Sequence, residues 1–231
     1  MASSRDDCIL HGPESELAVL IRESPRFEEH PGIARLSNRY LAKAYDPASA
    51  EDTLEAVEAA HRLGIRVPRV VRSVRCEGTA FVIMERVEGA TLQMAWPSLG
   101  WWLSLRLALQ LRRFILKMRS VTSKSAGSLV TGQCRSFWLD DHFGLPARAM
   151  PSDISAFLAF WVNFISIRQE LKKDCHQHLS QRELSTLQSS RLVFTHHDPA
   201  PRNMVVDPAQ GLWLLDWDFA GFYPLCFDTH R

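Results

Sequence analysis

The sequence predicts an α+β fold, with a small antiparallel sheet and one helix in its first part and mainly helices in its second. Three patterns carry this reading. From Ile33 the text ARLSNRYLAKAY alternates like a strand, and VVRSV and AFVIMERV flank Glu77-Gly78 as the arms of a hairpin. After GATLQMAWP the apolar spacing becomes helical, over about residues 100–119 and again over about 151–171. Near the C-terminus LVFTHH and GLWLLDW return to strand character, bracketing NMVVDPAQ.

Taken in order, residues 1–32 mix charges, Ser and Pro without a sustained period and read as a loosely attached leader with a short helix near Glu14 to Arg22. The alternating run from Ile33 to Tyr45 is expected as one strand bearing Lys43. A loop at Asp46-Pro47 precedes a helix capped by Ser49 or Asp52 and closed at Gly64, where glycine permits the left-handed turn that ends helices. Ser152 or Asp153 is expected to cap the 151–171 helix, and a further short helix is expected around His178 to Ser189.

Composition excludes several functions. With 231 residues, 46% of them apolar, the chain can bury a core. A net charge of +1 supplies no global field for nucleic acid or a membrane, and neither is expected as a partner. Five scattered cysteines without a CxxC pair read as free thiols in a reducing compartment. The N-terminus has no secretory pattern, so a cytoplasmic location is expected. Leu99 to Met118 is apolar but interrupted by Arg106, Arg112, Arg113 and Lys117, and reads as a buried amphipathic helix. Trp101, Trp102, Trp138 and Trp161 read as core, and Cys175, His176 and His178 as solvated surface rather than metal ligands.

The chemistry is concentrated in FTHHDPAPRNMVVDPAQGLWLLDWDFAGFYP, residues 194–224. One strand ends in His196-His197-Asp198, Asn203 opens the next, and another ends in Asp216-Trp217-Asp218. Adjacent strands would bring these polar ends to one sheet edge. Phosphoryl transfer requires an acceptor-hydroxyl base, oxygen ligands for Mg²⁺ and a cation for the nucleotide phosphates. Asp216 and Asn203 offer the hard oxygens Mg²⁺ prefers, Asp198 is available to a substrate hydroxyl, and Lys43 can supply the cation. Glu51, Glu55 and Glu58 share a helical face, and Glu55 is the expected partner of Lys43, with Glu58 the alternative. Asp218 reads equally as a metal ligand or a loop carboxylate, and His196 as structural.

The pattern H-x-D-x-x-x-x-N followed by L-L-D, here His196, Asp198, Asn203 and Asp216, resembles the catalytic loop and metal motif of aminoglycoside phosphotransferases and choline kinase-like enzymes. RVPRVV, MERVEGATL and DWDFAGFYP look especially like fungal members. The resemblance implies a bilobal protein-kinase-like fold, with an N-lobe over 33–86 and a catalytic C-lobe over 87–231. It also implies ATP and Mg²⁺ as cofactors and a small-molecule hydroxyl acceptor. It places Asp198 at the base position, Asn203 and Asp216 at the metal positions and Lys43 at the nucleotide-phosphate position. VIMERVEGATL resembles the hinge that receives adenine near Glu85 to Val87.

Two features depart from the family pattern. No GxGxxG loop surrounds Gly32, so weak or metal-dependent ATP binding is expected. The chain also stops seven residues after Pro224, where family members usually continue into further helices, which reads as a C-terminal truncation. The readings left open are an active small-molecule kinase and a nucleotide-binding pseudokinase or non-catalytic interaction module. A protein kinase is disfavoured because nothing after Asp216 resembles an activation segment with its APE-type anchor.

Overall fold

The structure is a computed structural model and describes residues 2–28, 30–135, 145–170 and 191–225. In chain order the elements are α1 (Ala2–His11), α2 (Glu14–Glu23), β1 (Ile33–Arg35), β2 (Tyr40–Tyr45), α3 (Pro47–Arg62), β3 (Val70–Cys76), β4 (Thr79–Glu85) and β5 (Ala90–Thr91). They continue with α4 (Leu92–Ala95), α5 (Trp101–Arg119), β6 (Thr122–Ser123), α6 (Pro151–Glu170), β7 (Leu192–Thr195), β8 (Met204–Val206), β9 (Leu212–Leu214) and β10 (Gly221–Pro224). Short 3₁₀ turns cover Trp96–Ser98 and Pro201–Asn203. The chain divides into two compact units, Met1–Phe114 with Asp198–Asp218, and Ile115–His197 with Phe219–Arg231.

The first unit is built on an antiparallel sheet of order β1-β2-β4-β3. The run expected as one strand folds back on itself. Ser37 Oγ accepts from the amides of Arg39 and Tyr40, at 3.1 and 3.2 Å, and pairs Ile33 with Lys43 across a β1–β2 hairpin. Ser37-Asn38 was thus a turn signal inside an alternating run, because the Ser side chain can satisfy the turn's amides. Glu77 and Gly78, with φ of 50° and 80°, make the left-handed β3–β4 turn that a twisted hairpin requires.

Alternation along β2 decides which residues serve the core and which serve a site. Tyr40 and Ala42 face a cluster with Leu36, Val74, Phe81 and Ile83, which is closed by Ile9, Leu17 and Ile21 from α1 and α2. The leader is therefore not loosely attached, since three of its apolar side chains are fully buried. The surrounding charges masked an amphipathic stripe, Leu17, Ala18 and Ile21, at helical spacing. On the opposite sheet face Ala80 and Val82 pack with Ala50 of α3, and Tyr45 packs against them. Lys43, opposite Val82, belongs to that second face.

Helix α3 is capped by Asp46, whose side chain accepts from the Ser49 amide at 3.0 Å, rather than by Ser49 or Asp52. Pro47 explains the shift, because proline is pre-set for the first helical position and lacks the amide that would otherwise go unbonded there. Gly64, at φ 63°, ends the helix as expected.

The second unit contains α6 and a three-stranded antiparallel sheet of order β10-β7-β6. Its core gathers Ala126, Cys134, Leu145, Ala149, Ile154, Leu192 and Tyr223. The Asp153 carboxylate reaches back to accept from the Met150 amide at 2.8 Å, which caps α6 from within its first turn. The helix expected around 178–189 lies outside the described residues, as do Trp138, Cys175, His176, His178 and the end of the chain from Cys226. No helix among the described residues is long and apolar enough to cross a membrane.

Burial of the N-terminal helices has a measurable consequence. Ile21→Ala should destabilise the protein by about 2–5 kcal/mol, the usual cost of emptying a fully buried aliphatic site. Urea unfolding of the pair measures it, and a change within about 0.5 kcal/mol, as at a surface position, would show that α2 is not part of the core.

Candidate active site

The site is built from the β8–β9 hairpin, the turn before it, and the face of β2 that carries Lys43. Met204 pairs with Leu214 and Val206 with Leu212, and Met204, Val205, Leu212 and Leu214 are buried. At the open end the Leu215 amide donates to the Asn203 carbonyl at 2.8 Å. That bond fixes Asn203 beside the residue preceding Asp216. Asp198 arrives differently from the sequence expectation. Strand β7 lies in the β10-β7-β6 sheet, not next to β8, so no strand pairing delivers the carboxylate. A local hook does. The Asn203 side-chain amide donates to the Asp198 carbonyl at 3.1 Å and to its Oδ2 at 2.9 Å, and the Asn203 backbone amide donates to the Ala200 carbonyl at 2.8 Å. Arg202, four residues on, adds an ion pair to the same Oδ2 at 2.6 Å.

Lys43 Nζ lies 2.5 Å from Asp216 Oδ1 and 2.6 Å from Asp218 Oδ2. Tyr45 donates its hydroxyl to Asp218 Oδ1 at 2.8 Å. Burial is the largest single influence on Lys43 and disfavours its charge, but the attraction and hydrogen bonds of Asp218 and Asp216 outweigh it and hold the pKa above the ordinary lysine value. Burial raises the Asp218 pKa, and the neighbouring Asp216 charge adds to the rise against the opposing pull of Lys43. The Tyr45 phenol is pushed far up by burial and then by the Asp218 charge, so it stays a donor. Asp216 itself adopts φ 62°, a left-handed conformation that costs a non-glycine residue about 1–2 kcal/mol. Such strain persists where the surroundings over-determine the backbone, and it clusters at functional positions.

Of these groups Lys43, Tyr45 and Asp216 line a cavity of about 470 Å³. Ile33, Leu41, Val70, Met84 and Leu215 give it apolar walls, and Glu85 and Val87 line it as well. Lys43, Asn203 and Asp216 line it too, so one concavity collects most of the residues singled out from sequence.

Glu55 is not the partner of Lys43. It accepts from Arg62 at 2.7 Å, while Glu58 lies 3.7 Å from Arg62 and Glu51 pairs with Arg75 at 2.6 Å. The helical face that α3 turns to the cavity carries Thr53 and Val57 instead. Sequence reading also passed over Tyr45 and Arg202. Both were accessible by spacing, Tyr45 two residues after Lys43 on the same strand face and Arg202 four residues after Asp198. His196 and His197 are buried, and His197, at φ 68°, stacks on Tyr223 with centroids 4.5 Å apart.

A lysine bridging two carboxylates thus stands beside a hooked Asp–Asn loop on an α+β frame. The sequence profile of the phosphotransferase enzyme family matches residues 33–229, and the chain belongs to that family. Among solved structures it is similar to aminoglycoside phosphotransferase APH(3'')-Id from Streptomyces rimosus in complex with ADP and streptomycin. That match has a TM-score of 0.54 at 13% identity and covers 94% of this chain and 78% of the other. It is also similar to APH(2'')-IIa, solved as a ternary complex with streptomycin and ATP, with a TM-score of 0.51, 14% identity and coverage of 93% and 72%. Aminoglycoside phosphotransferase APH(4)-Ia follows, with a TM-score of 0.50, 14% identity and coverage of 91% and 72%. A comparison with curated proteins gave no match.

The turn that joins β8 to β9 is held by the Asp207 carboxylate. Asp207 accepts from the Gly211 amide at 2.6 Å and the Trp213 indole at 2.8 Å, and a Cβ at Gly211 would fall 2.1 Å from the Arg66 guanidinium. Desolvation, the largest single influence, raises the Asp207 pKa. The bonds from Trp213 and Gly211, with the Arg66 charge, outweigh it and leave the pKa below the ordinary 3.8. A depressed folded pKa contributes stability that is fully present above the unfolded value and lost as pH falls through the folded one. At pH 7 Asp207→Asn should cost about 1–2 kcal/mol, and the gap should begin to narrow below about pH 4 and close as pH falls through the folded pKa. Urea midpoints of both proteins across pH 3–7 test this, and a pH-independent gap would show that charge at Asp207 is irrelevant.

Proposed function

We propose that this chain is an ATP- and Mg²⁺-dependent kinase that phosphorylates a hydroxyl of a small molecule. The observation that supports it most directly is the Lys43–Asp216–Asp218 cluster, of which Lys43 and Asp216 line a mainly apolar cavity. The cavity walls suit a purine, with backbone groups near Glu85 and Val87 at the adenine edge and Lys43 toward the phosphates. In this reading residues 33–86 form the nucleotide-binding lobe and 87–231 the catalytic lobe, in a cytoplasmic protein.

The donor set fits Mg²⁺. Among the described residues no cluster of three His, Cys, Asp or Glu side chains gathers for a metal. The hard oxygens are those of Asp216 and Asn203, with Asp218 adjacent. Because the Asn203 nitrogen is spent on Asp198, its amide oxygen is the atom offered to a cation. Bound there, Mg²⁺ would neutralise phosphate charge during transfer. Asp198 is the base. The described bonds to its carboxylate fall on Oδ2, from Arg202 and Asn203, which leaves Oδ1 to take the acceptor hydroxyl's proton as the hydroxyl oxygen bonds to the γ-phosphorus and ADP departs. Lys43, held above its ordinary pKa, stays cationic for the nucleotide.

One observation favours a second reading, a nucleotide-binding protein without turnover. None of Glu51, Glu55 and Glu58 orients Lys43, since each is bonded to an arginine. Mg²⁺-dependent consumption of ATP over a panel of hydroxylated metabolites separates the two, and MgATP binding without turnover on any alcohol or water would establish the second.

Two substitutions divide the roles. Asp216→Ala should abolish Mg²⁺-dependent nucleotide binding while leaving the fold largely intact, and calorimetry showing undiminished MgATP affinity would remove Asp216 from the metal site. Asp198→Asn should lower kcat by roughly two to four orders of magnitude, the loss typical of a general base, with MgATP affinity almost unchanged. A mutant turning over at the wild-type rate would make Asp198 a turn residue only.

A further inference from the structure

Helix α5 does not do what its apolar sequence suggests. Leu107 and Phe114 are buried, but Trp101 is 77% exposed and Trp102 65%, and Leu105 and Leu109 are about half exposed. Trp96 and Met94, just before the helix, are also exposed. The expectation of a buried helix, with these tryptophans in the core, is corrected by these values.

The exposed half of the helix is itself divided. At about 100° per residue, Trp101, Leu105, Leu109 and Trp102 span one arc of about 100°, interrupted by Arg112, and Arg113 and Arg106 occupy the next 40° or so. The near-neutral total of the chain conceals a local imbalance. From Gly89 to Leu139 there is no Asp or Glu, against five Arg and two Lys. Arg106 donates to Gln210 at 2.9 Å, a neutral partner that leaves its charge uncompensated.

We infer that this face of α5 docks on an anionic lipid surface, with Trp101, Trp102, Leu105 and Leu109 entering the headgroup boundary and Arg106, Arg112 and Arg113 facing acidic headgroups. Tryptophan suits that boundary because its ring is apolar and its indole N–H needs a polar partner. Arginine adjoining an apolar strip adds Coulomb attraction to the area buried. Charge argues against a second copy of this chain as the occupant. A two-fold pairing of α5 would set its arginines against one another, and the helix has no acid to answer them.

Sedimentation of the whole chain with vesicles tests the assignment. The protein should pellet with phosphatidylcholine vesicles containing phosphatidylserine and not with pure phosphatidylcholine, and added salt should weaken the binding. Arg112→Gln with Arg113→Gln should reduce partitioning roughly 30-fold, from the attraction of two cations near the surface. Trp101→Ser with Trp102→Ser should reduce it at least tenfold, while thermal unfolding of both double variants stays near wild type because the side chains are exposed. Failure of the wild type to pellet with acidic vesicles, equal pelleting with neutral ones, or variants that bind like wild type would each overturn the proposal. So would concentration-dependent dimerisation abolished by the tryptophan changes, which assigns the face to a second copy. Retention on polyglutamate without vesicle binding would assign it to an acidic protein.

Discussion

The ammonium of Lys43 sits against two carboxylates that lie 173 and 175 residues later in the chain. The arrangement of the site depends on that contact. Asp216 and Asp218 carry like charges on one short segment and Asp218 is partly buried, a placement that would be costly without a cation between them. Lysine resolves the repulsion and ties β2 to the end of the β8–β9 hairpin. Tyr45 completes the arrangement by donating to the Asp218 oxygen that Lys43 does not hold. With both carboxylates ionised the cluster carries one more negative charge than positive.

Lower-level features make this contact possible. Period-two alternation puts Lys43 and Tyr45 on one face of β2 while Tyr40 and Ala42 enter the core, so burial on one side fixes the register that aims the lysine. On the other partner, the Leu215–Asn203 bond and the buried apolar residues of β8 and β9 fix the position from which Asp216 departs. Its left-handed backbone then turns the chain out of the ladder. The rigid hairpin supports the strain at Asp216, and the Asp207 turn closes the hairpin at its far end.

Much of this was legible because it depends on local spacing. The Asp198–Asn203 hook spans five residues, and alternation around Lys43 indicates its face. The hairpin at Glu77-Gly78 and the helix end at Gly64 were equally readable, since each is set by backbone conformations few residues tolerate. What escaped was decided by tertiary competition. Glu51, Glu55 and Glu58 share a helical face in any α3, but whether one of them meets Lys43 depends on how that helix rotates against the sheet. Burial of Ala50, Ala56 and Ala60 settled that rotation. The N-terminal helices were misjudged for a related reason. Their few apolar residues look insufficient until the sheet supplies Leu36, Val74 and Ile83 as partners. Trp101 and Trp102 show the converse, as helical spacing marks a face without saying what lies opposite.

The two ends of the site are built by different means, and they should fail differently. The cation end joins β2 to a hairpin distant in sequence, so its geometry exists only in the folded chain, and in the kinase proposed above its side chains serve as scaffold and ligand alike. Changes to Lys43, Tyr45 or Asp218 should therefore mix loss of stability with loss of binding. The Asp198 end is a local loop, shaped by Pro199 and Pro201 with their fixed φ and by one amide side chain that bonds both the carbonyl and the carboxylate of Asp198. Such a loop can keep its shape when the carboxylate is altered. The proposed separation of chemistry from scaffold at Asp198, and their overlap at Lys43, follows from sequence separation, because charges held by local bonds can be changed with less disturbance than those held across the chain.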